Sequence, residues 1–474
     1  MVKAHRINPF LIAIFVMALL LRAISVTLPR QPEVKDDAIE YDRIGLNIIS
    51  GNGFSMDEHP PYMPTARRGP IYPAFLALVY SAFGHSHGAV RAIQALIGAV
   101  TCVLVFFIGR MAFNEKVGLI SASLSAFYPP MVDWCRYILT ETLFTFLIAS
   151  AVLFLMIAFS SSQAWHLASA FLFGTAALCR PIAVLLPFLV PLLLLIVYRN
   201  RRRAVTHSLA FISVAALTLT PWTVRNYMTF HRLIPITTGG GLTLFGGSLA
   251  GRYDDRGEIK AELERAIGRR LLNPSSITVE EDARLIKKGL INIRETPLGY
   301  LKACIRRSFR LWRIYTHSQA FGLELTASEY LRNRNYPAVL AKLILAIISC
   351  APLPLAIIGV SLNRRKWRDF LPLILIMAYF TALYSLIHAI ERYNAPMLPY
   401  LLIFAASGAW GVRRWLIRAP HMKVDYRNYE ARLSTRFDRR LFKRASHRAR
   451  FLRVKADKTT RAEDHEAHHS DPML

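Results

Sequence analysis

Long apolar stretches separated by polar loops fill the chain from its N-terminus to about residue 411. A helix needs about 20 consecutive apolar residues to cross the hydrocarbon core of a bilayer, and several of these stretches reach that length. The pattern therefore predicts an all-α polytopic membrane protein with about ten transmembrane helices. The predicted spans are residues 1–28, 88–110, 117–132, 141–160, 164–180, 181–198, 207–222, 338–361, 370–387 and 395–411.

Basic clusters set the predicted orientation of these spans. The stretch Ile71–Phe83 is apolar but too short for a span, so we interpret it as a helix on the outer surface. The basic clusters then all fall on one side, which the excess of Lys and Arg identifies as the cytoplasm. Both termini lie there, and residues 29–87 and 222–337 form two long outer segments. The clusters are Lys3/Arg6, 199–203, 364–368 and Arg413/Arg414.

Composition changes this picture mainly at the C-terminus. The chain has 474 residues, is 53% hydrophobic and carries a formal net charge of +28. We expect residues 1–411 to form the transmembrane region and residues 412–474 a basic cytoplasmic tail that is partly disordered. No folded nucleic-acid-binding motif accompanies the basic residues of the tail. The charge therefore indicates topology and contact with the anionic lipid bilayer, and no nucleic-acid partner.

The two outer segments are predicted to be largely helical. In the first, a helix over about 39–49 ends at Gly51-Asn52-Gly53, since Gly and Asn accept the left-handed conformation that follows a helix C-terminus. In the second, residues 238–247 are rich in glycine and predict a turn. Charged or amphipathic helices are then expected over 258–272, 279–294 and 298–314.

Acidic residues stand at two outer positions. Asp36 and Asp37 follow the first span closely; adjacent carboxylates repel, so the pKa of one should rise, which suits a general base or a metal ligand. A helix N-cap followed by acidic first-turn residues, with Glu40 one turn further on, explains the same pattern. Glu141 opens an apolar span. It either faces a cavity or a partner, or it is a solvated carboxylate at a helix N-terminus.

Arginines at the outer ends of spans run against the positive-inside tendency. Arg22, Arg180 and Arg392 occupy such positions. A guanidinium matches a phosphate or carboxylate in a bidentate fork, so three at one surface favour an anionic partner. Each is otherwise explained by snorkelling of its head group to the interface. Trp222 and His388, taken alone, are more typical of an interfacial aromatic belt and of a helix end than of substrate contacts.

Several short segments, in this order and spacing, resemble the bacterial GT-C glycosyltransferases between about residues 22 and 411. The chain is most similar to family 39-like enzymes, which are protein O-mannosyltransferases, the lipid A aminoarabinose transferase and rhizobial lipopolysaccharide galacturonosyltransferases. Pro221-Trp222-Thr223-Val224-Arg225-Asn226-Tyr227 and the later glycines are the most distinctive pieces. The matching segments are residues 37–41, 51–54, 68–73, 139–144, 179–181, 221–227, 239–241 and 391–399.

The resemblance implies a GT-C fold and transfer of a sugar, with inversion, from a polyprenyl-phosphate donor to a cell-envelope acceptor. That acceptor is lipopolysaccharide or lipid A, a glycan or a protein, reached at the periplasmic face of the bacterial inner membrane. Asp37 is implied as the base, with Asp36 and Glu141 as further catalytic candidates. Arg392, Arg180 and Arg225 are implied at the donor phosphate. Further substrate-site candidates are Glu40, Tyr41, Tyr72, Trp222, Asn226, His388 and Tyr393.

Two departures from the family pattern leave a metal cofactor open. Arg67 stands where the aminoarabinose enzymes carry an acidic residue, and Gly69 replaces the first proline of the stretch whose second proline is Pro70. No metal ligands are therefore assigned, and a divalent cation remains an open possibility.

The competing class is an envelope polysaccharide polymerase, ligase or exporter, which also carries long outer loops with arginines. The acidic residues directly after the first span and the Trp-x-x-Arg-Asn segment favour the transferase. The sequence leaves the sugar and the acceptor open.

Overall fold

The computed structural model describes residues 8–160, 162–198, 200–249, 256–271, 277–312 and 322–418. Within these ranges the chain is helical, and its single β-bridge joins Ser55 to Pro64. The α-helices are α1 (Pro9–Thr27), α2 (Asp37–Ile49), α3 (Ile71–Phe83), α4 (His87–Ala112), α5 (Glu115–Phe127), α6 (Pro129–Asp133), α7 (Glu141–Ser160), α8 (Gln163–Cys179), α9 (Leu186–Val197), α10 (Arg201–Phe230), α11 (Gly240–Leu249), α12 (Arg256–Ile267), α13 (Val279–Glu295), α14 (Pro297–Leu311), α15 (Ala327–Arg332), α16 (Tyr336–Cys350), α17 (Pro352–Asn363), α18 (Leu371–Leu386) and α19 (Leu398–Arg418).

Six helical stretches of the described chain are long and apolar enough to cross a membrane, which confirms the all-α membrane class. Two shorter apolar helical stretches, Ile71–Phe83 and Pro181–Val197, accompany them. The predicted total of about ten crossings stays a prediction. The six stretches are Pro9–Thr27, His87–Ala112, Glu141–Phe159, Arg201–Phe230, Tyr336–Leu386 and Glu391–Ile417.

Prolines break two of the predicted spans. The span expected over 117–132 was wrong: α5 ends at Phe127, because the residue before a proline is disfavoured in the α conformation and Pro129 begins the short helix α6. The span expected over 338–361 is also divided at a proline, with α16 ending at Cys350 and α17 starting at Pro352, although Ala351 between them keeps an α-helical conformation.

The first outer segment folds as predicted into a short helix and a short apolar helix. Helix α2 ends at Ile49, and Gly51 and Gly53 follow with φ angles of 78°, in the left-handed region that glycine adopts without steric cost. Helix α3 packs on α2. Gly45 permits this packing, since a Cβ there would lie 2.9 Å from Leu76 Cβ.

The second outer segment corrects one prediction. Residues 238–247 were expected to form a turn, but Gly240–Leu249 is helix α11. Its glycines allow close packing instead of a turn: a Cβ on Gly241 would lie 2.0 Å from the Asp282 carbonyl oxygen, and one on Gly247 2.2 Å from that of Ile387. Helices α11, α12 and α13 enclose a small apolar core around Phe245 and Leu285.

Helix α7 lies at the centre of the bundle. Of the residues in its most apolar stretch, 78% are buried inside the protein. The helix packs against α4, α8, α18 and the 3₁₀ segment Glu391–Met397. Its first residue, Glu141, is therefore held inside the protein. By its contacts the chain divides into units 1–411 and 412–474. Most of the second unit, residues 419–474, lies outside the described residues, so the predicted disordered tail stays a prediction.

Candidate active site

A cavity of about 400 Å³ lies where the starts of α2 and α7 meet the 3₁₀ segment Glu391–Met397. Loops 67–69, 179–185 and 237–240 complete its wall. The cavity wall gathers residues that are far apart in the sequence. Its charged lining residues are Asp37, Arg67, Arg68, Glu141, Arg180 and Arg392.

The start of α2 places two carboxylates on one face. Asp36 is the N-cap residue, with a φ angle of 52° and no capping hydrogen bond from its side chain. Asp37 is the first helical residue, and Glu40 follows one turn later on the same side. Acidic residues are favoured in a first helical turn. Asp37 lines the cavity, whereas Asp36 does not.

Three carboxylates and three arginines alternate in one set of ion pairs, and we call this set the charge chain; all of its members except Glu40 line the cavity. Arg68 joins the first two acids: its Nε lies 2.5 Å from Glu40 Oε2 and its Nη2 lies 2.6 Å from Asp37 Oδ1. Arg392 Nη2 donates to Asp37 Oδ2 at 2.5 Å. The charge chain continues to Glu141 Oε1, which lies 3.7 Å from Arg392 Nε. It ends at Arg180, whose Nη1 donates a hydrogen bond of 3.1 Å to the same Glu141 oxygen.

The two arginines decide the ionisation of Asp37. Burial alone would raise its pKa, but the charges and hydrogen bonds of Arg68 and Arg392 outweigh burial and lower the pKa to about 2. The sequence prediction that repulsion raises the pKa of one of the paired aspartates is thus wrong for Asp37. Without a ligand, Asp37 is a fully ionised carboxylate held by two cations.

Glu141 is 2% exposed and carries an unused acceptor. Its Oε2 atom has no hydrogen-bond partner among the described residues, and neither does the buried Nε of Arg392. Leaving a buried polar atom unpaired costs about 1–3 kcal/mol. A polar ligand that forms hydrogen bonds with these two atoms would therefore stabilise the site.

Arg67 adds a further positive charge to the cavity wall. Its guanidinium makes no ion pair and no side-chain hydrogen bond to another described residue. Burial is the main cause of its lowered pKa. Gly239, at φ 95°, leaves room for it, since a Cβ there would lie 2.5 Å from Arg67 Nη1. The cavity therefore has more positive than negative charge and suits an anionic ligand.

Aromatic rings flank the arginines. Tyr393 lies under both Arg180 and Arg392, whose guanidinium carbons are 4.9 and 5.6 Å from the ring centroid. Tyr384 stacks on Tyr393 at 4.8 Å. Tyr41 lines the cavity 5.0 Å below the Arg68 guanidinium. His388 also lines the cavity, with its ring 6.0 Å from that of Tyr393.

Six predicted site residues do not line the cavity: Asp36, Glu40, Tyr72, Trp222, Arg225 and Asn226. Three of them hold the backbone beside the cavity loops. Trp222 Nε1 donates to the Ile236 carbonyl at 2.7 Å, and Asn226 Nδ2 donates to the same carbonyl at 3.1 Å. Arg225 Nη1 donates to the Thr65 carbonyl at 2.8 Å, and its expected contact with a donor phosphate stays a prediction. The fully buried Tyr72 donates its hydroxyl to Gln94 at 2.9 Å.

Sequence reasoning did not select three groups that the structure places in the cavity wall. These are Arg68, Tyr384 and the backbone of 237–240. Arg68 carried a usable signal, since it is an arginine in an outer segment within a stretch that resembles the family. Tyr384 lies in an apolar span and carried none.

Comparisons with known proteins give a family match and a fold. The family model described as dolichyl-phosphate-mannose-protein mannosyltransferase matches residues 63–224, about a third of the chain. That region contains Arg67, Arg68, Glu141 and Arg180. No curated protein matches the chain.

Solved structures give the fold. The oligosaccharyltransferase AglB from Archaeoglobus fulgidus, in complex with an inhibitory peptide and a dolichol-phosphate, superposes with a TM-score of 0.53 at 13% identity, over 88% of this chain and 52% of that one. The chain thus spans about half the length of AglB. Another structure of the archaeal enzyme contains Zn and sulfate.

ArnT from Cupriavidus metallidurans, bound to undecaprenyl phosphate, is similar at 15% identity over 85% of this chain and 79% of that one, with a TM-score of 0.41. The chain therefore has the fold of the archaeal oligosaccharyltransferase, and its residues 63–224 match a glycosyltransferase family model, in line with the resemblance in its sequence.

Proposed function

We propose that the protein transfers a sugar from a polyprenyl-phosphate donor to a hydroxyl of a cell-envelope acceptor, with inversion at the anomeric carbon. The acceptor is lipopolysaccharide or lipid A, a glycan or a protein. The reaction takes place at the periplasmic face of the bacterial inner membrane, with both termini in the cytoplasm. The observation that carries the proposal is the meeting of the Asp37 carboxylate with Arg68, Arg180 and Arg392 in one cavity of a GT-C fold.

The proposed step is a single displacement. The acceptor oxygen forms a bond to the anomeric carbon while the bond from that carbon to the donor phosphate oxygen breaks. The acceptor proton passes to Asp37, and the electron pair of the broken bond leaves with the polyprenyl phosphate. Negative charge grows on the phosphate as the bond breaks, so preplaced arginines stabilise the transition state more than the bound donor.

Donor binding also prepares the base. A carboxylate with a pKa of about 2 is a weak base, because general bases work best when their pKa lies near the operating pH. Arg392 holds Asp37 Oδ2 in the ligand-free cavity. A donor phosphate competes for that guanidinium and brings its own negative charge. Both effects raise the pKa of Asp37 and free Oδ2 for the acceptor hydroxyl.

Glu141 acts in this scheme as a positioning residue. Its Oε1 lies within reach of both Arg180 and Arg392, so it fixes the two guanidinium groups that we assign to the phosphate. The cavity does not fit a divalent cation. Asp37 and Glu141 are already paired with arginines, and Arg67 stands where the aminoarabinose enzymes have an acid.

A radiolabel transfer assay in membranes tests the proposal. Membranes containing the full chain receive a panel of labelled polyprenyl-phosphate sugars and envelope acceptors. Label should move from one donor to one acceptor with the wild type. Asp37→Asn should reduce the rate by about 10²–10⁴-fold, the usual contribution of a general base.

Asp36→Asn is the matched control, since it removes a neighbouring carboxylate that does not line the cavity. It should keep nearly full activity. Transfer at wild-type rate by Asp37→Asn would remove Asp37 as the base. No transfer from any donor, with abundant folded protein, would favour the polymerase or exporter class.

A further inference from the structure

A second cluster of chemically active side chains lies outside the cavity. Asp42 is on α2, five residues after Asp37 and therefore about 140° around the helix axis. His85 lies in the turn after α3, and His87 is the first residue of α4. None of these three lines the cavity. The proposed reaction uses none of them.

Both imidazoles converge on one carboxylate. Asp42 Oδ1 lies 3.0 Å from His85 Nε2 and 2.9 Å from His87 Nε2. The possible ligand atoms of the three residues all lie within 4.8 Å of one another. The hydroxyl of Tyr80, on α3, donates a hydrogen bond of 2.5 Å to the same Asp42 Oδ1 atom. The Asp42 side chain is 13% exposed and the two imidazoles 41% and 30%, so the cluster opens to solvent on its histidine side.

We propose that Asp42, His85 and His87 bind a divalent transition-metal ion, with Zn²⁺ as the ion that best suits the donor set. Two imidazole nitrogens and one carboxylate oxygen, with water as a fourth ligand, form a common tetrahedral zinc site. Bonds of about 2.0–2.1 Å require ligand atoms about 3.3 Å apart. The two separations from Asp42 Oδ1 are within about 0.4 Å of that value, and all three ligand atoms lie within 4.8 Å of one another. Calcium and magnesium prefer all-oxygen sites and do not suit two imidazoles.

The surrounding contacts support a site that is already arranged. Metal ligands are typically oriented by hydrogen bonds from outside the coordination sphere, and Tyr80 orients Asp42 in this way. The ion would join α2 to the turn before α4, two elements that are otherwise linked through α3. Because α2 also carries Asp37, the ion would hold the helix of the proposed base in place without touching the reacting atoms.

The test is cobalt and zinc binding to the full-length protein in detergent after treatment with a chelator. The wild type should bind one Co²⁺ per chain with the visible absorption of a tetrahedral site, and Zn²⁺ should displace it. His85→Gln keeps a hydrogen-bond donor for Asp42 but removes the imidazole. It should weaken Co²⁺ binding by about 100-fold or more.

The matched control is His59→Ala, an exposed histidine of the same outer segment. It should bind Co²⁺ as the wild type does. In the wild type, Zn²⁺ should also raise the Tm, and His85→Gln should lose this rise while keeping the Tm of the metal-free protein. The proposal is overturned if the wild type shows no tetrahedral Co²⁺ spectrum, or if His85→Gln binds Co²⁺ as tightly as His59→Ala. The cluster is then a hydrogen-bonded junction only.

Discussion

Arg22 and Arg392 occupy equivalent places in the sequence, at span ends that are predicted to face outward, yet the structure gives them different surroundings. Arg22 is fully buried on α1, and its Nη atoms donate to the carbonyls of Ala18, Ser125 and Ala126 at 3.1–3.3 Å. Arg392 lies in the cavity wall and donates to the carboxylate of Asp37. The prediction that Arg22 belongs with the anion-binding arginines is therefore wrong.

The partners explain the difference. The carbonyls of Ser125 and Ala126 belong to the last turn of α5, where carbonyls lack intrahelical partners and the helix dipole is negative. Arg22 completes that helix end. Gly98 makes room for it, since a Cβ there would lie 2.8 Å from Arg22 Nε. Arg392 instead has charged partners beside an open cavity, and a phosphate can compete for it. The partner atoms, more than burial, separate a structural arginine from a ligand-binding one.

Removing Arg392 should produce the largest functional effect of this pair. Arg392→Ala removes a cation from the leaving phosphate, which typically costs about 3 kcal/mol of transition-state stabilisation. We expect kcat/KM for the donor to fall by about 100-fold while the protein remains abundant in the membrane. The measurement is the transfer rate against donor concentration. Arg392→Lys should recover part of the loss, because it restores the charge without the planar fork. An unchanged donor dependence in Arg392→Ala would exclude Arg392 from the donor site.

Removing Arg22 should lower the stability of the protein and leave its use of the donor unchanged. Arg22→Ala leaves the buried end of α5 without its donor, at a cost of about 2 kcal/mol in the free energy of unfolding. The Tm in detergent should fall, while KM for the donor in the surviving folded protein should match the wild type. A donor KM that rises as much as in Arg392→Ala would show that the two arginines share a function.

The fold was predictable where local rules dominate. The glycine-rich end of α2 and the bounds of α3 follow from the left-handed preference of glycine and from the length of the apolar stretch, whereas α2 starts two residues before its predicted start. Helix α11 was not predictable, since its glycines serve contacts with Asp282 and Ile387 that lie 41 and 140 residues away from Gly241 and Gly247 in the chain. Rules based on neighbouring residues assign glycine to turns, because they contain no information on a distant backbone segment that packs against the glycine.

The candidate site was predictable to the extent that topology collects residues. Asp37, Glu141, Arg180 and Arg392 were grouped by their outer position, and all four line the cavity. The same signal selected Arg225, whose partner is the backbone carbonyl of Thr65. Position relative to the membrane does not reveal whether the partner of an arginine is a carbonyl or a carboxylate, so it could not separate these cases.

The pH dependence of transfer should provide the finest distinction, because it reports the release of Asp37 from Arg392. In the free enzyme the pKa of Asp37 is about 2, so the base is ionised throughout the usual range. The profile of kcat/KM, which reports the free enzyme, should therefore show no acid limb from Asp37 between about pH 4 and 8. In the donor complex the pKa rises, so kcat should fall severalfold toward pH 4 while kcat/KM stays level.

His388 also lines the cavity, and histidine is the side chain that ordinarily ionises near neutral pH, so His388→Gln is the control. The acid limb of kcat should persist in this variant if it belongs to Asp37. Acid limbs of equal pKa in kcat and kcat/KM would mean that the donor leaves the Asp37–Arg392 pair intact. The phosphate would then rest on Arg180 or Arg67, and Arg392 would position Asp37 as Arg22 positions α5.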